Sequence, residues 1–204
     1  MDLYGSKLCW AVLTCVFFSV SRAGDLLPQN RSDFDPEVDS TVADVEWAVY
    51  GVRLRFKLTK TGHNPEFDAK PLVESKGNPL CPVTALVSYL TEYRGRDGYD
   101  VALDETNPLF QTREGKVFVT GDLRRLVKAA VHALGKDPKL FGAHSLRIGG
   151  ATAAIAAPSG DEHICSVLGY WLTSVVREYT KPGVESVVKV WREMMESKHT
   201  EVHQ

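Results

Sequence analysis

The most informative part of this sequence is GAHSLRIGGAT, which spans residues 142–152. A helix that begins near His144 places His144 and Arg147 three residues apart on one face, beside its first turn. The start of a helix attracts anions through its unpaired amides and its dipole. An arginine fork and an imidazole add positive charge and a proton-transfer group. The pattern therefore favours a phosphate site, although a capping histidine beside a surface arginine has the same spacing.

Helices are predicted on both sides of this stretch. The helix that contains it spans residues 144–157 and ends at a proline, and the helix before it spans residues 121–134. The apolar stripe of that earlier helix consists of Leu123, Leu126, Ala130 and Leu134. Its bases away from the stripe are Arg124, Arg125 and Lys128. Further helices are predicted over residues 79–90, with Asn78 as the cap, and over 161–168, 173–179 and 184–195.

Strands are predicted before these helices. Val42–Tyr50 and Val52–Thr59 are rich in β-branched and aromatic residues and meet near Gly51. Apolar residues alternate with bases in the second segment, which indicates one buried face and one basic face. Those bases are Arg53, Arg55 and Lys57. A turn that contains Lys60 follows, and Lys70–Glu74 returns as a short third strand.

Length and composition are those of one globular domain. The chain has 204 residues, of which 44% are hydrophobic and 25% charged, and its formal net charge is −2. These values exclude a wholly disordered chain and a polytopic membrane protein. With the element order, they predict a single α+β domain over residues 1–204, predominantly α, with a small three-stranded antiparallel sheet. The four cysteines lack CxxC spacing, so neither a zinc site nor a disulfide framework is indicated.

Charge is unevenly distributed along the chain. Residues 25–50 carry seven acids and one base, a net charge of −6, whereas residues 113–147 carry eight bases and three acids, a net charge of +5. A basic stretch inside a near-neutral chain can form one positive face for phosphates. A solvated helix surface would account for the same residues, so charge alone leaves both interpretations open.

The uncharged run Leu8–Val20 also has two interpretations. With Lys7 before it and small residues after it, the run has the outline of a signal peptide, and Asn30 would begin a glycosylation sequon. The run is too short for an ordinary membrane span of about 20 residues. The alternative is a buried core helix whose end presents Arg22.

Several short motifs follow one another in a recognisable order. They are Arg22 three residues before Asp25, Lys60 in a hairpin turn, NPLCPVTAL at 78–86, His144 with Arg147, LGYW at 168–171, and Tyr179 eight residues after Trp171. Together they resemble the catalytic domain of tyrosine recombinases, the phage-integrase family, over essentially the whole chain. The nearest resemblance is to DIRS-type and crypton-type mobile elements, which carry HSxRIGxAT and then LGxW followed by a tyrosine.

The resemblance implies cleavage and rejoining of DNA strands without a metal or another cofactor. Arg22 and Arg147 would bind the non-bridging oxygens of the scissile phosphate and neutralise charge in the transition state. Tyr179 would attack the phosphorus and leave a 3′-phosphotyrosine and a free 5′-hydroxyl. Lys60 would protonate the departing oxygen, and His144 would assist proton transfer at the nucleophile.

Two of these assignments have competitors in the sequence. The family places a histidine or tryptophan that hydrogen-bonds to the phosphate near Tyr170 and Trp171, and the spacing of eight residues to Tyr179 favours Trp171. Lys57 competes with Lys60 as the general acid. Lys60 is favoured because it lies in the predicted turn.

The resemblance also implies partners and a setting. Family members carry a separate helical DNA-binding domain before the first arginine helix, and this chain begins inside that helix, so half of the clamp around the duplex is expected to be missing. The expected partner is double-stranded DNA, contacted along its backbone by Arg124, Arg125 and Lys128, with a homo-oligomer on the DNA and no membrane. The expected location is the nucleus of a eukaryotic cell, or otherwise the cytoplasm, without secretion. Leu8–Val20 is accordingly interpreted as a core helix.

The sequence leaves two alternatives for the function and two for the packing of the last helix. The chain is expected to catalyse site-specific recombination or integration, but a domesticated mobile-element product that binds DNA with weak or no turnover fits the same residues. The final predicted helix, Val184–Met195, carries an apolar stripe that includes Trp191. That helix is expected either to dock on a neighbouring protomer, as the family's last helix commonly does, or to fold back onto its own domain.

Overall fold

The computed structural model describes residues 2–57, 69–158 and 184–196. Its helices are α1 (Leu3–Ser19), α2 (Ala23–Leu26), α3 (Pro82–Arg94), α4 (Thr120–Ala133), α5 (Ala143–Ala156) and α6 (Val184–Glu196). Its strands are β1 (Val45–Ala48), β2 (Gly51–Arg55) and β3 (Ala69–Val73). Short 3-10 turns lie at Arg31–Asp33, Val42–Asp44, Val101–Leu103 and Pro138–Leu140. The predicted class, α+β with helix predominant and a small three-stranded antiparallel sheet, is confirmed.

The uncharged N-terminal run forms the central helix of the core. α1 begins after Asp2, whose carboxylate caps the helix by accepting the Gly5 N–H at 2.8 Å. The helix is apolar on nearly all sides, and α3, α4, α5 and β3 contact it. It ends at Val20, a buried residue with a left-handed backbone (φ 52°). Within the described ranges, no helix is long and apolar enough to cross a bilayer.

The sheet has the order β1-β2-β3 and is antiparallel throughout. Val52 and Leu54 are buried and Arg53 and Arg55 are exposed, so the alternation predicted for β2 is confirmed. The strand begins at Gly51, where φ is 142° and an added Cβ would lie 2.5 Å from the Leu72 carbonyl oxygen, so a side chain does not fit. The register sets Val45 opposite Leu54, and Leu54 opposite Lys70.

A buried carboxylate, Asp44, anchors the sheet to the segment before it. Asp44 accepts the backbone N–H of Thr41 at 2.8 Å and its hydroxyl at 3.0 Å, and it pairs with Arg55 at 3.0 Å and Lys57 at 3.1 Å. These partners offset the cost of burying the charge. Lys57 also donates to the Pro36 carbonyl oxygen at 2.6 Å. Lys57 therefore has a structural role at the start of the sheet, and Lys60, with which it competes in the sequence, lies outside the described residues.

The start of α3 differs from the prediction. The helix begins at Pro82 with Cys81 as its N-cap, rather than near Pro79 with Asn78 as the cap. The reason is local: the Asn78 side-chain oxygen closes a turn by accepting the Leu80 N–H at 2.8 Å. Helical geometry therefore starts three residues later than the apolar spacing indicated.

The apolar stripe predicted for α4 is only half correct. Leu123 is fully buried and Leu126 is partly buried, but Ala130 is exposed and Leu134 is 75% exposed. Burial instead follows Leu123 and Val127, which lie one turn apart. The second half of α4 consequently lies largely outside the core.

Helices α1 and α5 approach each other closely because α5 has two adjacent glycines. A Cβ on Gly150 would lie 2.2 Å from the carbonyl oxygen of Phe17, and a Cβ on Gly149 would lie 3.3 Å from the Phe17 ring. The first distance is a clash with backbone, whereas the second involves a side chain that can move. Gly150 is therefore the position that permits this contact between the helices.

The last helix packs on its own chain. Trp191 is fully buried, its indole N–H donates to the Pro71 carbonyl oxygen at 2.6 Å, and its ring meets Phe18 edge to face. The Asn78 side chain also donates to the Met195 carbonyl oxygen at 2.8 Å. Of the two interpretations of this helix, the structure has the one in which it folds back onto its own domain.

We expect Gly150→Ala to lower the free energy of unfolding by about 1–3 kcal/mol, because the added methyl group overpacks the contact with the α1 backbone. Gly149→Ala is the matched control. It should change stability little. The helix propensity that alanine gains over glycine, up to about 1 kcal/mol, offsets the small shift that the added methyl group requires of the Phe17 ring. Urea unfolding of both variants checks this expectation, and equal losses at the two positions would contradict it.

We expect Trp191→Ala to destabilise the isolated monomer by about 3–5 kcal/mol, as is usual for removing a buried aromatic side chain. Trp10→Ala makes the same change at a 41% exposed position and should cost clearly less. Thermal unfolding at low protein concentration provides the measurement. A stable Trp191→Ala monomer would show that α6 contributes little to its own domain.

Candidate phosphate-binding site

Arg147 lies in the first half of α5 and is only 4% exposed. Arginine is seldom buried to this extent, because removing a guanidinium from water is costly unless hydrogen-bonding or anionic groups surround it. A buried arginine close to the start of a helix is a strong electrostatic feature, since its charge acts in a medium of low dielectric constant. This residue is therefore the centre of the candidate site.

The start of α5 brings His144 close to Arg147 but not into the same environment. Gly142 is the N-cap, and its N–H donates to the Ser145 hydroxyl at 3.0 Å. His144, in the first turn, is exposed, whereas Arg147 is buried. The predicted pair thus spans the boundary between solvent and core. The His144 imidazole is therefore open to solvent, whereas the core encloses the Arg147 guanidinium.

Arg22 lies where α1 turns sharply into α2. Its backbone N–H donates to the Asp25 carboxylate at 3.0 Å, which closes the first turn of α2. In the part of the chain that the structure describes, the guanidinium of Arg22 forms no ion pair with the Asp25 carboxylate. The side chain of Arg22 is partly exposed.

The segments that carry Arg22 and Arg147 touch each other. Gly150, one turn after Arg147, faces Val20, whose Cγ2 would lie 3.5 Å from a Cβ at that glycine. Val20 precedes Arg22 by two residues and has the left-handed backbone that redirects the chain. For a β-branched residue this conformation costs of the order of 1–3 kcal/mol, and such strain is concentrated at functional sites.

The three bases predicted to contact DNA lie on the exposed side of α4, but they are not equivalent. Arg125 pairs with the Asp122 carboxylate, so its charge is partly neutralised. Arg124 and Lys128 are exposed, and no described carboxylate lies within ion-pairing distance of either. Arg125 therefore shares its charge with Asp122, whereas the charges of Arg124 and Lys128 have no described carboxylate partner.

Arg31 was not among the basic residues predicted to contact DNA, but it lies beside them on the exposed side of α4. Its guanidinium donates to both oxygens of Asp122, at 2.8 and 2.9 Å, and so lies beside Arg125 at the start of α4. The two ends of this ion pair are 91 residues apart, so spacing could not reveal it. The available signal was that Arg31 is the single base in the acidic stretch 25–50.

The described cysteines do not offer a competing nucleophile. Burial raises the pKa of the Cys15 thiol to about 12. Burial, and then the nearby Asp122 carboxylate, also raise the pKa of Cys9. Both thiols therefore stay protonated at neutral pH and are poor nucleophiles. Cys81 accepts the N–H groups of Ser75 and Thr84 and acts as a helix cap.

The remaining predicted site residues lie outside the described residues. They are Lys60, Trp171 with its alternative Tyr170, and Tyr179. The predicted helices over residues 161–168 and 173–179 also lie outside them. Across the ranges that are described, no three histidine, cysteine, aspartate or glutamate side chains are grouped as metal ligands.

Comparison with known proteins gives no relative from which a function could be transferred. No protein-family model, no curated protein and no solved structure matches this chain.

Proposed function

We propose that this chain is a catalytic domain of the tyrosine-recombinase type, which cleaves and rejoins DNA strands through a 3′-phosphotyrosine intermediate. The observation that supports this best is the buried Arg147, on a helix that packs through Gly150 against the segment leading to Arg22. Two arginines held on touching, closely packed segments are suited to a transferring phosphoryl group, which develops charge on its equatorial oxygens. The motif order in the sequence adds the other roles.

In this proposal Arg22 and Arg147 bind the non-bridging oxygens of the scissile phosphate. The Tyr179 oxygen attacks phosphorus, so the bond from phosphorus to tyrosine forms as the bond to the 5′ oxygen breaks. Lys60 supplies the proton to that leaving oxygen, and the exposed His144 accepts the tyrosine proton and exchanges it with water. Attack by a 5′-hydroxyl of another strand reverses the step and needs no ATP.

The remaining parts of the proposal follow from the same reaction. Trp171, or Tyr170 in its place, would hydrogen-bond to the phosphate. Double-stranded DNA is the substrate, and the recombining assembly is a homo-oligomer on that DNA. The reaction belongs in the nucleus of a eukaryotic cell, or otherwise in the cytoplasm.

A second candidate is a DNA-binding module derived from a mobile element that no longer turns over. This function is favoured by the reduced positive charge on the exposed side of α4, where the Asp122 carboxylate partly neutralises Arg125 and Arg31. The formal net charge of −2 also gives little general attraction to a polyanion. The two functions share the binding surface and differ in whether a covalent intermediate forms.

A covalent trap separates the two functions. The probe is a pool of duplexes in which sulfur replaces a bridging 5′ oxygen (5′-bridging phosphorothiolates). Cleavage releases a thiol, which is a poor nucleophile toward the phosphotyrosine, so the strand is not rejoined. The active domain should form a protein–DNA adduct that survives denaturing electrophoresis, and Tyr179→Phe should abolish it while the far-ultraviolet circular dichroism is unchanged. An adduct that persists in Tyr179→Phe would contradict the nucleophile assignment, and no adduct in the parent protein would favour the binding module.

The role of Arg147 has its own matched pair of variants. Arg147→Ala should slow adduct formation by about 10²–10³-fold, the usual effect of removing one transition-state donor. Arg124→Ala removes the same charge from the exposed face of α4 and should act only through DNA affinity. Single-turnover rates at saturating DNA provide the comparison. Similar rates for the two variants would contradict a transition-state role for Arg147.

Binding to duplex DNA should depend on the uncommitted cations of α4. Each phosphate neutralised contributes about −0.9 to the slope of log K against log salt. The double change Arg124→Gln/Lys128→Gln should therefore reduce the magnitude of the slope by up to about 1.8, whereas Arg125→Gln should change it less because Asp122 already pairs with Arg125. Fluorescence anisotropy between low and moderate salt tests this, with Lys116→Gln as the control. A larger effect for Arg125→Gln would contradict the charge assignment.

A further inference from the structure

An exposed apolar patch with basic neighbours lies at the C-terminal end of α4. Leu134 is 75% exposed, Leu140 is 78% exposed and Phe141 is 37% exposed. These residues belong to the short segment that follows α4, and the 3-10 turn that contains Leu140 packs against that helix. Lys136 and Lys139, both exposed, belong to the same segment. We call this set of five residues the C-terminal patch.

The patch carries a net positive charge. Asp137, between the two lysines, is exposed, and its carboxylate accepts the Lys139 N–H at 2.9 Å. Lys128 and His132 lie on the preceding turns of α4 and are exposed as well. Single exposed apolar residues are ordinary on a protein surface, but a group of them with charged neighbours of one predominant sign marks an interaction surface. A partner for this surface must be acidic and must also offer apolar side chains.

The acidic stretch of the same chain has this chemistry. Residues 33–39, which we call the acidic turn, carry four carboxylates, with Val38 42% exposed and Phe34 partly exposed. The turn is closed by its own hydrogen bonds: Asp35 accepts the Asp39 backbone N–H at 2.7 Å, and the Asp39 carboxylate accepts the Asp35 N–H at 2.9 Å. Because the turn is already ordered, binding it costs little further conformational entropy.

The acidic turn and the C-terminal patch of one copy are held apart. Arg31, two residues before the turn, pairs with Asp122 in the first turn of α4. The patch lies at the other end of that helix, which has 14 residues and a length of about 21 Å. The rigid helix therefore separates the two complementary surfaces within one chain. Within the described ranges no ion pair joins the acidic turn to the patch, so both surfaces are available to a second copy.

We propose that this protein self-associates head to tail, with the acidic turn of one copy bound to the C-terminal patch of the next. The carboxylates of the turn would face Lys136 and Lys139, and Val38 and Phe34 would cover the exposed apolar side chains. The interface is heterologous, so an open chain of copies keeps one free turn at one end and one free patch at the other until it closes into a ring. The inference concerns self-association of the free protein, and it does not rest on the proposed catalysis or on the homo-oligomer proposed on DNA.

A charge-reversal experiment on the full chain tests this interface. The patch variant is Lys136→Glu/Lys139→Glu, and the turn variant is Asp33→Lys/Glu37→Lys, which leaves Asp35 and Asp39 to close the turn. Each variant alone sets like charges against each other and should self-associate about tenfold or more weakly than the parent in sedimentation equilibrium. An equal mixture makes both kinds of contact complementary again and should recover the association of the parent.

The controls make each outcome decisive. Lys76→Glu/Lys116→Glu changes the net charge equally at exposed positions outside the patch and should associate like the parent. Association of the parent should weaken as salt screens the charges. A parent that stays monomeric at low salt, single variants that associate like the parent, or a mixture that stays monomeric would each overturn the proposal. A patch variant that loses duplex DNA binding but keeps its self-association would assign the patch to DNA instead.

Discussion

The contact between Gly150 and the backbone of α1 governs the arrangement of the candidate site. At this position α5 comes so close that a methyl group would overlap the Phe17 carbonyl oxygen. The same contact supports Val20 in its left-handed conformation, and that conformation turns the chain toward Arg22. Arg147 lies one helical turn before the contact. A wider separation of the two helices would therefore move both arginines and relax the strained residue between them.

Two carboxylates, the buried Asp44 and the partly buried Asp122, hold most of their basic neighbours in structural ion pairs. Asp44 is surrounded by groups of its own chain, two from Thr41 and two from basic side chains, and it fixes the start of the sheet. Asp122 does the same for the start of α4, where it receives Arg31, Arg125 and the Val119 N–H. Most basic residues near these carboxylates are thus committed to the fold. The basic composition of residues 113–147 consequently overstates the positive charge available to a ligand.

Much of the fold follows from local sequence patterns, and the differences have identifiable causes. The uncharged run predicted α1, strict alternation predicted β2, and the position of Pro158 predicted the end of α5. The start of α3 was misplaced because an asparagine side chain closed a turn of its own. The second half of α4 was predicted to be buried because periodicity shows which face is apolar but not how far the neighbouring elements extend.

The candidate site could be predicted only in part for the same reason. The spacing of His144 and Arg147 identified the helix, but whether each side chain is buried depends on α1, which is more than a hundred residues earlier in the sequence. The pairing of Arg31 with Asp122 and the backbone of Val20 depend on tertiary contacts that have no local signature.

In the proposed function, a chain with no excess of positive charge would still have to recognise phosphate, and its charges are arranged in a way that fits this. General attraction to DNA scales with the number of uncommitted surface cations, and few remain on α4 once Asp122 has taken its partners. A buried guanidinium acts differently, because low dielectric surroundings strengthen its field and the packing of α5 fixes its position before the ligand arrives. Such a site contributes more to the stability of a charged transition state than to the affinity for the ground-state duplex. Weak DNA binding and the proposed phosphoryl chemistry are therefore compatible, since the first depends on Arg124 and Lys128 and the second on Arg147 and Arg22.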